Sequence, residues 1–97
     1  MEFKDDDRGF LVWKTTHAGG FVLNTTRTPW PDYLVLHRAT CPHLTRPDSE
    51  VQWTKNYIKI CSTQVDDLVG WLADRVPWRP RLTPCATCKP TTRATLG

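Results

Sequence analysis

The chain has 97 residues, a formal net charge of +3 and 39 % hydrophobic residues. That length makes one domain over residues 1–97, with a core over about 9–90, and leaves no room for a second. No apolar run approaches the ~20 residues of a membrane span, and the acidic start lacks the apolar stretch of a secretory signal, so a cytoplasmic protein without a membrane partner is expected.

A chain of this size buries roughly 60–70 % of its unfolded surface, which makes a crosslink, a metal or a dimer partner useful to its stability. The charge is unevenly distributed. Glu2, Asp5, Asp6 and Asp7 face a single Lys4 at the start, whereas Arg75, Arg79, Arg81, Lys89 and Arg93 follow with no acid among them. Such a basic end suits an anionic partner and equally suits a solvated tail.

In chain order, Phe10-Leu11-Val12-Trp13 running into Thr15 and Thr16 predicts a strand. His17-Ala18-Gly19-Gly20 supplies a turn, and Phe21-Val22-Leu23 a second strand, together a β-hairpin. Thr28 to Asp32 is a loop, because Pro29 and Pro31 fix φ and remove two backbone donors. Tyr33 to His37 predicts a third strand and Trp53 to Ile60 a fourth, with a loop over Cys41 to Glu50 between them. Val65, Leu68, Val69, Leu72 and Val76 then recur at helical spacing after Ser62-Thr63-Gln64, with Asp66 and Asp67 in the first turn and Arg75 in the last. Pro77 ends this helix. The expectation is an α+β domain: a small antiparallel sheet of about four strands, one main helix and a C-terminal Cys-x2-Cys turn.

Four cysteines and three histidines supply the chemistry. His37-x3-Cys41 sits at the end of a predicted strand, and Cys85-x2-Cys88 lies in a turn flanked by Pro84 and Pro90. Cys-x2-Cys lets two thiolates point at one centre, and a second spaced pair would complete a tetrahedral zinc site. With His37, Cys41, Cys85 and Cys88 as ligands no position stays open, so the zinc would be structural. Cys61 follows Ile58 and Ile60 in strand alternation and reads as a core cysteine, while His43 could replace His37. Four reduced thiols without a metal and a redox-active Cys-x2-Cys remain open alternatives, although no thioredoxin-like βαβ context surrounds the motif.

His37-Arg-Ala-Thr-Cys41, a strand and a helix, then Pro84-Cys85-Ala-Thr-Cys88-Lys-Pro90 resemble the metal-binding module of Ada-type DNA-repair proteins over residues 34–90. Family members that transfer methyl groups carry a cysteine where this chain has His37. The resemblance therefore implies the metal site and argues against the repair chemistry.

Aromatic and basic residues interleave through the middle: Arg27, Trp30, Tyr33, Arg38, then Trp53, Lys55, Tyr57 and Lys59. On a strand the last four share one face, opposite Ile58 and Ile60. Exposed aromatics between cations suit nucleic acid, since cations neutralise phosphates and rings stack on bases or pack on a methyl group. A face covered by the N-terminal hairpin, with Trp53 and Tyr57 in the core, is the competing expectation. The run Gly20 to Cys41, with Trp53-Thr-Lys-Asn-Tyr57-Ile-Lys59, resembles small actinomycete proteins with a Trp/Tyr/Lys signature that bind 5-methylcytosine DNA. That resemblance implies a dimeric, sequence-tolerant reader without nuclease activity, with Trp53, Tyr57 and Lys59 facing the DNA.

Nothing in the sequence assembles a catalytic site. There is no nucleophile elbow, phosphate-binding glycine loop or HEXXH motif, and a zinc deaminase would need a His-x-Glu that the chain lacks. The expected function is a non-enzymatic module for cytosine-methylated double-stranded DNA, acting as a homodimer, with a zinc-stabilised protein-interaction or scaffold domain as the alternative.

Overall fold

The computed structural model describes residues 1–28, 33–44, 53–76 and 82–90. Its elements are β1 (Glu2–Phe3), α1 (Asp7–Thr16), β2 (Phe21–Thr26), β3 (Leu34–Arg38), a 3-10 turn (Pro42–Leu44), β4 (Tyr57–Ser62), α2 (Val65–Arg75) and β5 (Leu82–Pro84). The strands form one sheet in the order β1-β4-β2-β3-β5. The first three pairings in that order are antiparallel and the β3–β5 pairing is parallel. The fold is α+β, as expected, but the sheet is mixed and carries two helices.

The largest departure is the segment 10–16, which is helical rather than a hairpin strand. In a strand Phe10 and Trp13 would face opposite sides; in α1 they lie three residues apart on one face, and both are buried. Leu11 and Val12, apolar like them, face solvent. Asp6 caps the helix by accepting from the Gly9 amide at 2.9 Å, and the hydroxyls of Thr15 and Thr16 turn back onto the carbonyls of Leu11 and Val12. The β preference of Phe10, Val12, Trp13, Thr15 and Thr16 is thus overridden by a cap and by an apolar pair at helical spacing.

Each face of the sheet is covered. Leu23, Leu34, Leu36, Ile58 and Ile60 meet Leu68, Leu72 and Val76 on the α2 side, with Trp71 packed partly against them. The expected helix is therefore confirmed in place and in its apolar face. The opposite side carries Val22, Cys41, Cys61 and Cys85 against Phe3, Phe10 and Trp13. Cys61 is a buried core cysteine, as expected, but on this second side, one residue out of step with Ile58 and Ile60. Gly20 allows the turn into β2 to close: a Cβ there would stand 2.7 Å from the Trp13 ring and 3.1 Å from the His17 and Ser62 carbonyl oxygens.

Strand β4 begins at Tyr57, four residues later than expected. Trp53 and Thr54 are held by the start of α1 instead. Asp7 accepts from the amides of Trp53 and Thr54 at 3.2 and 2.8 Å and from the Thr54 hydroxyl at 2.6 Å. Asp5 and Asp6 donate their amides to the Thr54 carbonyl and hydroxyl, at 2.8 and 2.7 Å. The acids of the N-terminus thus include a main structural anchor, Asp7. Among the described residues, no helix is long and apolar enough to cross a membrane.

Candidate functional site

His37, Cys41, Cys85 and Cys88 come together: one potential ligand atom from each lies within 4.8 Å of the others. Strand register explains the convergence. His37 pairs with Val22 in the middle of the sheet and points to the α1 side. A turn closed by the Cys41 amide on the Arg38 carbonyl, at 3.0 Å, returns the chain over His37. Strand β5 runs parallel beside β3, and the Cys85 amide continues that pairing onto the Leu36 carbonyl at 2.8 Å. The Cys85–Lys89 turn closes at 2.9 Å with Lys89 at φ 48, in the left-handed region.

This cluster has the chemistry of a metal site. His37 is buried, and its Nδ1 has no hydrogen-bond partner, a demand that a cation on that nitrogen would meet. Burial, reinforced by the charges of Lys59 and His43, brings the imidazole down to about 4, so it is neutral at pH 7 as a ligand must be. The Arg38 amide donates to Cys88 Sγ at 3.2 Å, the kind of contact that steadies a thiolate ligand. Burial pushes the Cys41 thiol up to about 12. At Cys85 burial acts in the same sense, but the amides of Cys88 and Thr87 and the neighbouring thiols outweigh it and pull the thiol down. Of the other candidate ligands, His43 is exposed, with Nε2 3.5 Å from the Thr87 hydroxyl, and Cys61 is not among the four converging residues.

The expected aromatic-basic strand face is not assembled as one surface. Lys59 shares its side of β4 with Tyr57, but it is only 4 % exposed. Its ammonium donates to Asn24 Oδ1 at 2.7 Å and to the Trp53 carbonyl at 2.6 Å, and stands 6.0 Å from the centre of the Phe10 ring. Burial lowers it to about 8. Trp53 is half-buried in the turn before β4, packed against the α1-side core, with an unpartnered Nε1. The covering expected from a hairpin is supplied by α1. Arg38 is a scaffold residue, donating to the carbonyls of Cys88 and Lys89 at 2.9 and 3.1 Å and so holding the cysteine turn. Trp30 lies outside the described residues.

What remains exposed gathers at one end of the sheet. Lys55 is exposed, and Tyr57 is 39 % exposed with its ring 5.3 Å from that of the equally exposed Tyr33. Arg27 joins them by donating to the Lys55 carbonyl at 2.8 Å, and its guanidinium pairs with Asp5 at 2.6 Å. Beside this group a cleft of about 480 Å³ reaches the Cys/His cluster itself: Asn24, Tyr33, Val35, His43, Thr83 and Thr87 line it together with His37 and Cys85. Sequence reasoning missed Asn24 and Asp7. Asn24 reads as one more polar strand residue, and only the register Asn24↔Lys59 reveals its partner.

Compared with protein-family models, with curated proteins and with solved structures, the chain gives no match. Fold and site define an α+β domain whose edge strand and C-terminal turn are gathered by a His/Cys cluster that could hold a metal ion.

Proposed function

We propose that this chain is a zinc-clamped, non-enzymatic DNA-binding module that reads 5-methylcytosine in double-stranded DNA. The observation that carries the reading is the exposed Tyr33–Tyr57 pair, 5.3 Å apart, beside Lys55 and Arg27. Cations beside exposed rings meet phosphates, and aromatic rings offer the flat apolar surface that a base or its 5-methyl group packs on. The surface differs from the expected strand face: Tyr33, named in the same interleaved set, pairs with Tyr57, while Lys59 is buried and Arg38 is turned onto the cysteine turn.

Zinc is the metal this ligand set favours, since thiolates and a neutral imidazole in a closed set of four suit a structural Zn²⁺. Tetrahedral bonds of ~2.3 Å place two sulfurs about 3.8 Å apart, and Cys41 Sγ and Cys85 Sγ are separated by 3.9 Å. With all four positions filled by protein, the ion would staple β5 and its turn to β3 and activate no water. Of the acids nearest the surface, Asp5 is paired with Arg27 within it and Asp7 is bonded to residues 53 and 54. A two-fold dimer would match the symmetry of a palindromic methyl mark.

The test is a titration of methylated and unmethylated duplexes of one sequence at two salt concentrations. The reading requires affinity that falls with salt and is at least several-fold higher for the methylated duplex. Equal affinities defeat methyl reading, and no binding at low salt defeats DNA binding altogether. A protein-interaction domain, the second reading, draws on a different surface: a groove beside α1 lined by Met1, Phe3 and Val12, with Met1 72 % and Val12 59 % exposed.

A further inference from the structure

We infer that the cleft running from the tyrosine pair to the Cys/His cluster is a binding site for a single pyrimidine base taken out of the DNA stack. This deepens the proposed function and rests on it for the source of the base. The argument begins with Lys59. An ammonium only donates hydrogen bonds, so the Asn24 atom 2.7 Å from Lys59 Nζ is the carboxamide oxygen. The orientation of Asn24 is thereby fixed, and its NH2 is the group left for a ligand in the cleft it lines. An NH2 offers donors alone and so meets an acceptor edge, such as the ring carbonyl oxygen and N3 of the cytosine that the proposed function supplies.

The rest of the lining fits such a ring. Val35, next to Asn24 in the β2–β3 register, gives an apolar contact for a ring face or a 5-methyl group. Tyr33, backed by Tyr57, stands at the side where a stacked base would enter. The hydroxyls of Thr83 and Thr87 can donate or accept along the remaining edge. A volume of about 480 Å³ lies within the range of small-ligand sites and is large enough for one nucleoside. The buried Lys59, which otherwise represents a costly cation beneath a small sheet, thus acquires a role: it orients a recognition amide without touching the ligand.

Asn24→Asp isolates the inference. The aspartate keeps an acceptor for Lys59, so the fold is retained, but it replaces the NH2 with an oxygen and repels a ring carbonyl. The experiment compares wild type and Asn24→Asp on a fully paired duplex and on the same duplex with one 5-methylcytosine mispaired with adenine, whose pyrimidine leaves the stack more readily. Wild type should bind the mispaired duplex at least tenfold more tightly than the paired one. Asn24→Asp should lose that gain while its thermal midpoint stays near that of wild type. The inference is overturned if wild type binds the two duplexes equally, or if Asn24→Asp keeps the gain. If wild type binds neither duplex, DNA binding fails separately, and deoxycytidine added during an NMR titration decides the cleft. Movement of the Asn24 side-chain NH2 signals in wild type sustains the site, and unmoved signals at saturating nucleoside overturn it.

Discussion

Lys59 and Asp7 show how far the role of a charged residue depends on its neighbours. In the sequence Lys59 stands among exposed aromatics, yet its ammonium is enclosed and bonded to two oxygens. Its folded value of about 8 lies below the ordinary 10.5, so between these values the unfolded chain binds more protons than the folded one. Stability from this group therefore rises with pH across that window and is constant outside it. The difference in unfolding free energy between wild type and Lys59→Met should move in favour of wild type by about 3 kcal/mol from pH 7.5 to pH 11. Urea denaturation at a series of pH values reads it, and a flat difference would place the ammonium in solvent. Asp7 carries three hydrogen bonds that pin the turn before β4. Asp7→Ala should cost about 2–3 kcal/mol, since bonds to a charged acceptor are among the stronger ones.

At the scale of elements, α1 is the sharpest test of the fold. Phe10 is fully buried, whereas Leu11 and Val12 are 37 % and 59 % exposed. Phe10→Ala should destabilise by about 3–5 kcal/mol, while Leu11→Ala and Val12→Ala should stay within about 0.5 kcal/mol. A strand over this segment would instead make Val12 as costly as Phe10. Helix α2 was legible because its apolar positions, acidic first turn and terminal proline agree. Strands β2, β3 and the Tyr57–Ile60 part of β4 were legible from their β-branched and apolar runs. Segment 10–16 was not, because its local preference for β structure is opposed by a cap at Asp6 and by long-range packing of Phe10 and Trp13. The four metal-cluster residues were legible from spacing alone, since Cys-x2-Cys and His-x3-Cys are short-range signals. The covering of Lys59 by α1 depends on contacts between distant segments, which no local pattern encodes.

For the whole molecule, the sheet holds the parts in a definite relation. Its α2 side is a conventional apolar core, and its α1 side divides into a packed half around Phe10, Trp13 and Cys61 and an open half with the cleft and the tyrosine pair. The Cys/His cluster lies at the border of that open half and fastens β5, which has only three residues, to β3. A strand this short adds little pairing of its own, so a bound ion would carry much of the stability of this edge. Removing the ion with a chelator should lower the thermal midpoint and weaken DNA binding together, and restoring zinc should return both. The most direct test of the clamp is native mass spectrometry of the protein purified without added metal, alongside Cys85→Ser and Cys88→Ser. One zinc ion per chain in the wild type, lost from both variants, is the predicted result. A metal-free wild-type protein that keeps the same thermal midpoint in the presence and absence of zinc would contradict it.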